Sequence, residues 1–422
     1  MPAMRTWMSP KPRYRFYGSP RTYLTALQHV VSRPGHNESA TAELEAAVCD
    51  MTGATYAACM PQARFGLYLA IKALIQPGQS VVMSPYTIYD VVNMVLAAGG
   101  KPVWADIEAD TCNIDPAQIE QLIDERTGAV MVTHLHGLAC DMERVRAICA
   151  AHKVPIIEDA AQAFGARIGG DWVGTLGDVG VYSFGRAKNI NAFYGGMLVT
   201  RRDDVHRSVS EALAELPYED ASRLVKRIGH CLAGDVMTFP ALFSPLTFSV
   251  FRYAALNDVQ SVNKVVQTEN EPERRKQVPE HYFRRMTPLQ ARVAIEQLAQ
   301  VDSNTAVRLE YAERYHEGLA DLQGVSLPPL RRDGSHIYLQ FPIQVEERWD
   351  LVRHMMKHGR DVAIQHMNSA AELEPFRDLR RDCPVARKVA QSVVLLPTYP
   401  RYGMSEVDRN VAVIRDYFGK SS

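Results

Sequence analysis

The chain has 422 residues, 46% of them hydrophobic and 23% charged, with a formal net charge of −1. That length calls for two domains, and the near-neutral balance gives no reason to expect nucleic acid or a polyanionic partner. Seven scattered cysteines, never in a C-x-x-C pair, argue for reduced thiols in a cytoplasmic protein rather than a disulfide framework or zinc site. Residues 1–30 lack a signal-peptide core, and no uninterrupted apolar run has the length to span a bilayer.

Residues 1–33 are rich in Pro, Arg and Tyr (Pro10, Pro12, Arg13, Tyr14, Arg15, Tyr17, Arg21, Tyr23) and read as an arm packed across a subunit interface, with stacking on a nucleotide as the alternative. Ala42, Leu44, Ala47 and Val48 lie near helical spacing, and that helix ends near Gly53. Residues 56–61 read as a strand. Gln62-Ala63-Arg64 then turns into a helix that Pro77-Gly78 closes. Further strands are expected at 80–83, 101–106 and 129–133. His134 and His136 follow with no third ligand in view, so they are read as structural or pocket-lining rather than metal-binding. Short apolar strands alternating with helices imply a mostly parallel, doubly wound α/β sheet.

The stretch at 154–200 carries the chemistry. An apolar run at 154–157 stops on Glu158-Asp159, a glycine-punctuated hairpin follows, and a second strand ends in Ser183-Phe184-Gly185. Lys188 lies just beyond it, and Gly195-Gly196 opens a last strand. An Asp at the carboxyl end of a buried parallel strand sits where α/β sheets bind ligands. A lysine with little water around it loses its proton and attacks carbonyls. Asp with Lys is the pair that a pyridoxal phosphate site needs: a Schiff-base lysine and a carboxylate holding the pyridinium proton.

Ile157-Glu158-Asp159-Ala160-Ala161-Gln162-Ala163, Gly177-Asp178, Tyr182-Ser183-Phe184, Lys188-Asn189 and Gly195-Gly196-Met197 stand in register with the DegT/DnrJ/EryC1/StrS family, which this segment resembles. The resemblance implies a fold-type-I pyridoxal phosphate transferase: a large domain with a mostly parallel seven-stranded sheet flanked by helices, and a smaller C-terminal α+β domain. It implies cofactor contacts from Asp159, Gln162, Ser183 and Lys188. The strand-to-helix turn at Ala63 and Arg64 is implied to bind the phosphate, in keeping with the attraction of a helix N-terminus for anions. The residue implied to lie on the pyridine face is Ile88 here, with Tyr86 and Tyr89 as candidate replacements. Tyr89, Arg285 and His366 are implied substrate contacts. Phe283 stands where the family has an Asn that reaches the neighbouring subunit's phosphate.

The expected organisation is an arm at 1–40, a large domain at 41–235, an apolar and charged connection at 236–280, and a small domain at 281–422. Within the connection, residues 240–251 are apolar and aromatic but broken by Pro240 and Pro245. Packing at an interface or under a loop is favoured there over a greasy channel or membrane-surface contact through 236–256. The charged stretch at 269–276 reads as a solvated link. The activity implied is amino transfer from an amino acid, L-glutamate or L-glutamine, to a small-molecule ketone, foremost a nucleotide-linked keto-deoxysugar, in a homodimer with shared sites. Amination of an acyl-chain or polyketide-type carbonyl and a catalytically silent scaffold are the alternatives. Relatives that remove a hydroxyl carry His at the lysine position, so Lys188 argues against that chemistry.

Overall fold

The computed structural model describes residues 10–15, 20–32, 39–259, 271–364 and 367–419. His366, Tyr17 and Glu269 fall outside them. Seven strands form the main sheet: β1 (Tyr56–Met60), β2 (Ser80–Met83), β3 (Lys101–Trp104), β4 (Thr127–Thr133), β5 (Ile156–Asp159), β8 (Val179–Ser183) and β9 (Gly196–Thr200). Their order is β1-β9-β8-β5-β4-β2-β3. Only β9 runs antiparallel to its neighbours in this sheet, pairing Tyr56 with Thr200 on one side and Ser183 with Gly196 on the other. The small hairpin of β6 (Arg167–Ile168) and β7 (Asp171–Trp172) turns through Gly169-Gly170, both at positive φ. Only glycine takes that conformation without strain.

Burial on both faces explains the uninterrupted apolar strands. In β4, Ala129 and Met131 face one core cluster, while Val130 and Val132 face another. Helices cover both sides: α1 (Pro20–Ser32), α2 (Ser39–Thr52), α3 (Ala63–Leu74), α4 (Tyr89–Ala97), α5 (Pro116–Leu122), α6 (Met142–His152) and α7 (Asp203–Ala214). Next come α8 (Ala221–Met237), a π-helical turn at Phe243–Thr247 and α9 (Phe248–Leu256). The stretch at 240–251, a broken apolar run in the sequence, is helical, and Pro245 sits in the π turn, where the regular bond ladder is already interrupted. Among the described residues no single helix is long and apolar enough to cross a membrane. Ala221–Met237 and Pro240–Leu256 reach that composition only together, bent by 59°.

α10 (Pro288–Leu298) starts at a reciprocal capping box between Thr287 and Gln290. α11 (Val301–Leu319) leads to an antiparallel sheet, β10-β11-β13-β12 (Val325–Ser326, Phe341–Val345, Val393–Leu396, Ala363–Ile364), with α12 (Arg348–Lys357), α13 (Pro384–Ser392) and α14 (Met404–Gly419). Alternate residues of β13 join two cores: Val394 and Leu396 face the C-terminal cluster, and Val393 and Leu395 face the large one.

Candidate active site

Asp159 ends β5, and Lys188 follows β8, the strand beside it. The Asp159 carboxylate is buried and accepts the Ala161 amide at 3.1 Å. Burial raises its pKa, against the opposing pull of that amide and of Lys188. Removal from water lowers the Lys188 ammonium to about 8, with Asp159 raising it and Arg64 lowering it. The two groups therefore feel each other's charge at the carboxyl end of the sheet. Gln162 Oε1 accepts the His136 amide at 2.9 Å, which leaves its NH2 to donate elsewhere. His136 is buried at φ 57, with Nδ1 3.4 Å from Gln340 Oε1 and Nε2 without a hydrogen-bond partner among the described residues.

The turn into α3 supplies an anion site. Gln62 provides no side-chain cap, so the first amides of the helix, those of Ala63 and Arg64, remain unsatisfied as helix N-termini do. Gly196 lies against this turn: a Cβ there would sit 2.6 Å from Tyr182 O and 2.9 Å from Ala63 N. Ser183 Oγ accepts the Gly185 amide at 3.3 Å. The Arg64 side chain is held by Asp90, which also takes Arg275 at 3.0 Å, and it lies 3.4 Å from Tyr282 Oη.

These positions decide what the constellation can hold. The model of the DegT/DnrJ/EryC1/StrS aminotransferase family matches residues 26–218 and 259–415. The chain belongs to this family. Its members are pyridoxal phosphate-dependent aminotransferases. The spore coat polysaccharide biosynthesis protein SpsC of Bacillus subtilis is 28% identical over 375 residues, 86% of each chain. Two solved structures share the fold. DesI, crystallised in the presence of its TDP-sugar product, superposes with a TM-score of 0.70 at 24% identity, covering 98% of this chain and 94% of its own. NtdA of Bacillus subtilis, with bound PMP, gives 0.73 at 22%, covering 97% and 86%.

The residues of this aminotransferase fit pyridoxal phosphate. The uncapped α3 turn and the missing Cβ of Gly196 leave a cradle suited to a phosphate dianion. A buried carboxylate of raised pKa suits a protonated ring nitrogen, and a lysine near 8 suits covalent capture of an aldehyde.

The other residues named from the resemblance lie around the turn into α4 and ahead of α10. Tyr86 is fully buried in the large core, its backbone bridged to Ser369 and its ring near Cys112 and Arg348. Ile88 caps α4 and Tyr89 opens it, both half-buried against the same core. Arg285 stacks on Tyr218, its guanidinium 4.2 Å from the ring centre. Phe283 packs edge-on against Phe65 at 5.3 Å, so the aromatic in place of the family Asn serves as a core contact of α3.

Asp90 was missed by sequence reasoning, although it directly follows Tyr89 and sits in the first turn of a helix. The arm is expected across a subunit interface. Residues 10–15 dock on the C-terminal part of the same chain: Lys11 donates to Tyr402 O, Tyr399 donates to Pro12 O, and Arg13 pairs with buried Asp361. Beside Lys188 they enclose a cavity of about 230 Å³, to which Arg13, Tyr14, Arg15, Arg308 and Arg401 contribute.

Proposed function

We propose that this aminotransferase moves an amino group from L-glutamate or L-glutamine to the ketone of a nucleotide-linked keto-deoxysugar. The observation that carries the reading is the cavity at Lys188, walled by Arg15, Arg308 and Arg401 as well as Tyr14. Guanidinium forks suit a diphosphate or a donor carboxylate, and a tyrosine face suits a base. The TDP-sugar of DesI supports the same class. The seven cysteines are free thiols, in keeping with a cytoplasmic enzyme. The reading includes a homodimer, for which sedimentation should give twice the 47.2 kDa chain mass.

Bound pyridoxal phosphate supplies an aldehyde to carry nitrogen and a ring that draws electrons from the reacting carbon. Asp159 would hold the proton of the ring nitrogen. The Ala63 and Arg64 amides and Ser183 Oγ would hold the phosphate, while Gln162 would donate toward the ring oxygen. Lys188 Nζ, its affinity for protons lowered by burial, is the group that would take up and return a proton beside the bound cofactor, as base and then acid.

Visible spectra of wild type and Lys188→Ala with a panel of amino donors test this. Wild type should be yellow and bleach with one donor, and the variant should lack the lysine-bound absorbance. The bleached enzyme should regain colour with nucleotide keto-sugars. A colourless wild type indifferent to added cofactor would end the enzymatic reading.

One observation favours a second acceptor class. The family match breaks at 219–258, which covers α8 and α9. There α1 and α8 line an open apolar groove with Leu24, Leu27, Leu232, Val236 and Phe239, and the groove shares Arg15 and Arg401 with the Lys188 cavity. An acceptor with an acyl tail suits that continuity. If so, acyl ketones should restore colour, and Leu232→Asp should raise their KM and leave that for the amino donor unchanged.

A further inference from the structure

We propose that His354, His358 and Asp416 form a divalent transition-metal site of the zinc class on the small domain, fastening α12 to the C-terminal helix α14. None of the three belongs to the constellation around Lys188. His354 lies in the last turn of α12 and His358 caps it, so the two imidazoles share one helix face. Asp416 approaches from α14, with one oxygen 3.3 Å from His354 Nε2 and 4.0 Å from His358 Nε2. One ligand atom from each residue lies within 4.8 Å of the other two.

Three features suit a metal better than a simple ion pair. First, zinc bonds of about 2.0–2.1 Å at tetrahedral angles place neighbouring ligand atoms about 3.4 Å apart. The His354–Asp416 separation already matches, and the His358–Asp416 gap closes with a small side-chain rotation. Second, His358 Nδ1 donates to the His354 carbonyl at 2.9 Å, which puts the ring proton on Nδ1 and turns the Nε2 lone pair toward the other two residues. Such a bond on the far nitrogen orients a ligating imidazole. Third, the framework is packed: Leu351 and Met355 of α12 and Val413 and Ile414 of α14 are buried in one cluster. The backbone positions that carry the ligands are thereby fixed.

The histidine rings are tilted by 36° with centres 4.2 Å apart, so both edges can converge on one point instead of stacking flush. Two imidazoles and a carboxylate select zinc or a neighbouring first-row ion over magnesium or calcium, which prefer all-oxygen shells. His358 and Asp416 are partly exposed, leaving room for a water as fourth ligand.

Holoenzyme stripped with chelator and dialysed would be titrated with Zn²⁺ by calorimetry and with Co²⁺ in the visible, at wavelengths longer than the cofactor band. One equivalent per chain, tetrahedral Co²⁺ bands and a Zn²⁺-induced rise in Tm are expected. His358→Ala and Asp416→Asn should each weaken Zn²⁺ binding at least tenfold and abolish the Tm rise, while cofactor absorbance and transamination stay at wild-type level. Absence of a saturable equivalent in wild type overturns the proposal. So does undiminished binding in the His358→Ala, Asp416→Asn double variant, since that would place the metal elsewhere.

Discussion

Glu158 and Asp159 are adjacent on β5 and send their carboxylates to opposite faces of the sheet. Asp159 lies on the side of Lys188. Glu158 is wholly buried on the other, accepting the Gly174, Leu176 and Gly177 amides at 2.5–2.7 Å and the His134 Nε2 proton at 3.0 Å. The Cys140 amide donates to His134 Nδ1, so the imidazole carries its proton on Nε2 and gives it to Glu158. One acid faces Lys188 and its neighbour fastens the loop that leads to β8.

Glu158→Gln turns an amide NH2 toward donors that it cannot satisfy, at whichever oxygen position it takes. A loss of about 3 kcal/mol is expected. Urea denaturation of the apoprotein measures it, and Asp159→Asn provides the contrast: little change in stability but a cofactor that no longer supports transfer.

The lysine gives a pH signature. Folded Lys188 titrates at about 8, and an unfolded lysine at about 10.4. Across that window the unfolded chain binds the extra proton, so the apoprotein should gain stability relative to Lys188→Met as pH rises from about 8 to about 10. Capture of pyridoxal phosphate by the apoprotein should accelerate through the same midpoint near 8. Asp159→Asn removes the charge that raises this pKa, and its profile should move to lower pH.

Gly196→Ala puts a methyl into the Tyr182 carbonyl and the Ala63 amide. The α3 turn must shift, and cofactor affinity should fall about 10–100-fold, a loss of about 1.4–2.7 kcal/mol. Fluorescence titration of the apoprotein reads the change, and global stability should fall far less than for Glu158→Gln.

Arg13→Ala should strand Asp361, whose side chain is 2% exposed, without its partner. The expected cost is about 3 kcal/mol. Limited proteolysis should cut the arm sooner, and kcat/KM should drop because Tyr14 and Arg15 lose their place beside Lys188. Asp361→Asn, which keeps one acceptor for Arg13, should show a smaller version of both effects.

The central segment was legible because its chemistry is local. Asp159, Gln162, Ser183 and Lys188 lie on neighbouring strands and loops, and Gly169-Gly170 marks a turn that few other pairs can make. What escaped reading depends on partners far along the chain. Asp90 gains its role from Arg64 and Arg275, and Arg13 from Asp361. Tyr86 is buried in the core beside Cys112 and Arg348, both distant from it in sequence. The apolar stretch at 240–251 kept its helical period hidden behind two prolines, Pro240 at a helix start and Pro245 in a π turn.

The antiparallel strand in the large sheet also sets an order of assembly. Among the described residues β9 is the only strand that pairs with β1, so Tyr56 must wait for Thr200 before that ladder is filled. During synthesis the first strand leaves the ribosome with an open ladder, and the lysine loop must follow before that ladder is filled. A nascent chain stopped ahead of β9 should bind chaperones through β1, and the sheet should close in the same step that brings Lys188 to Asp159.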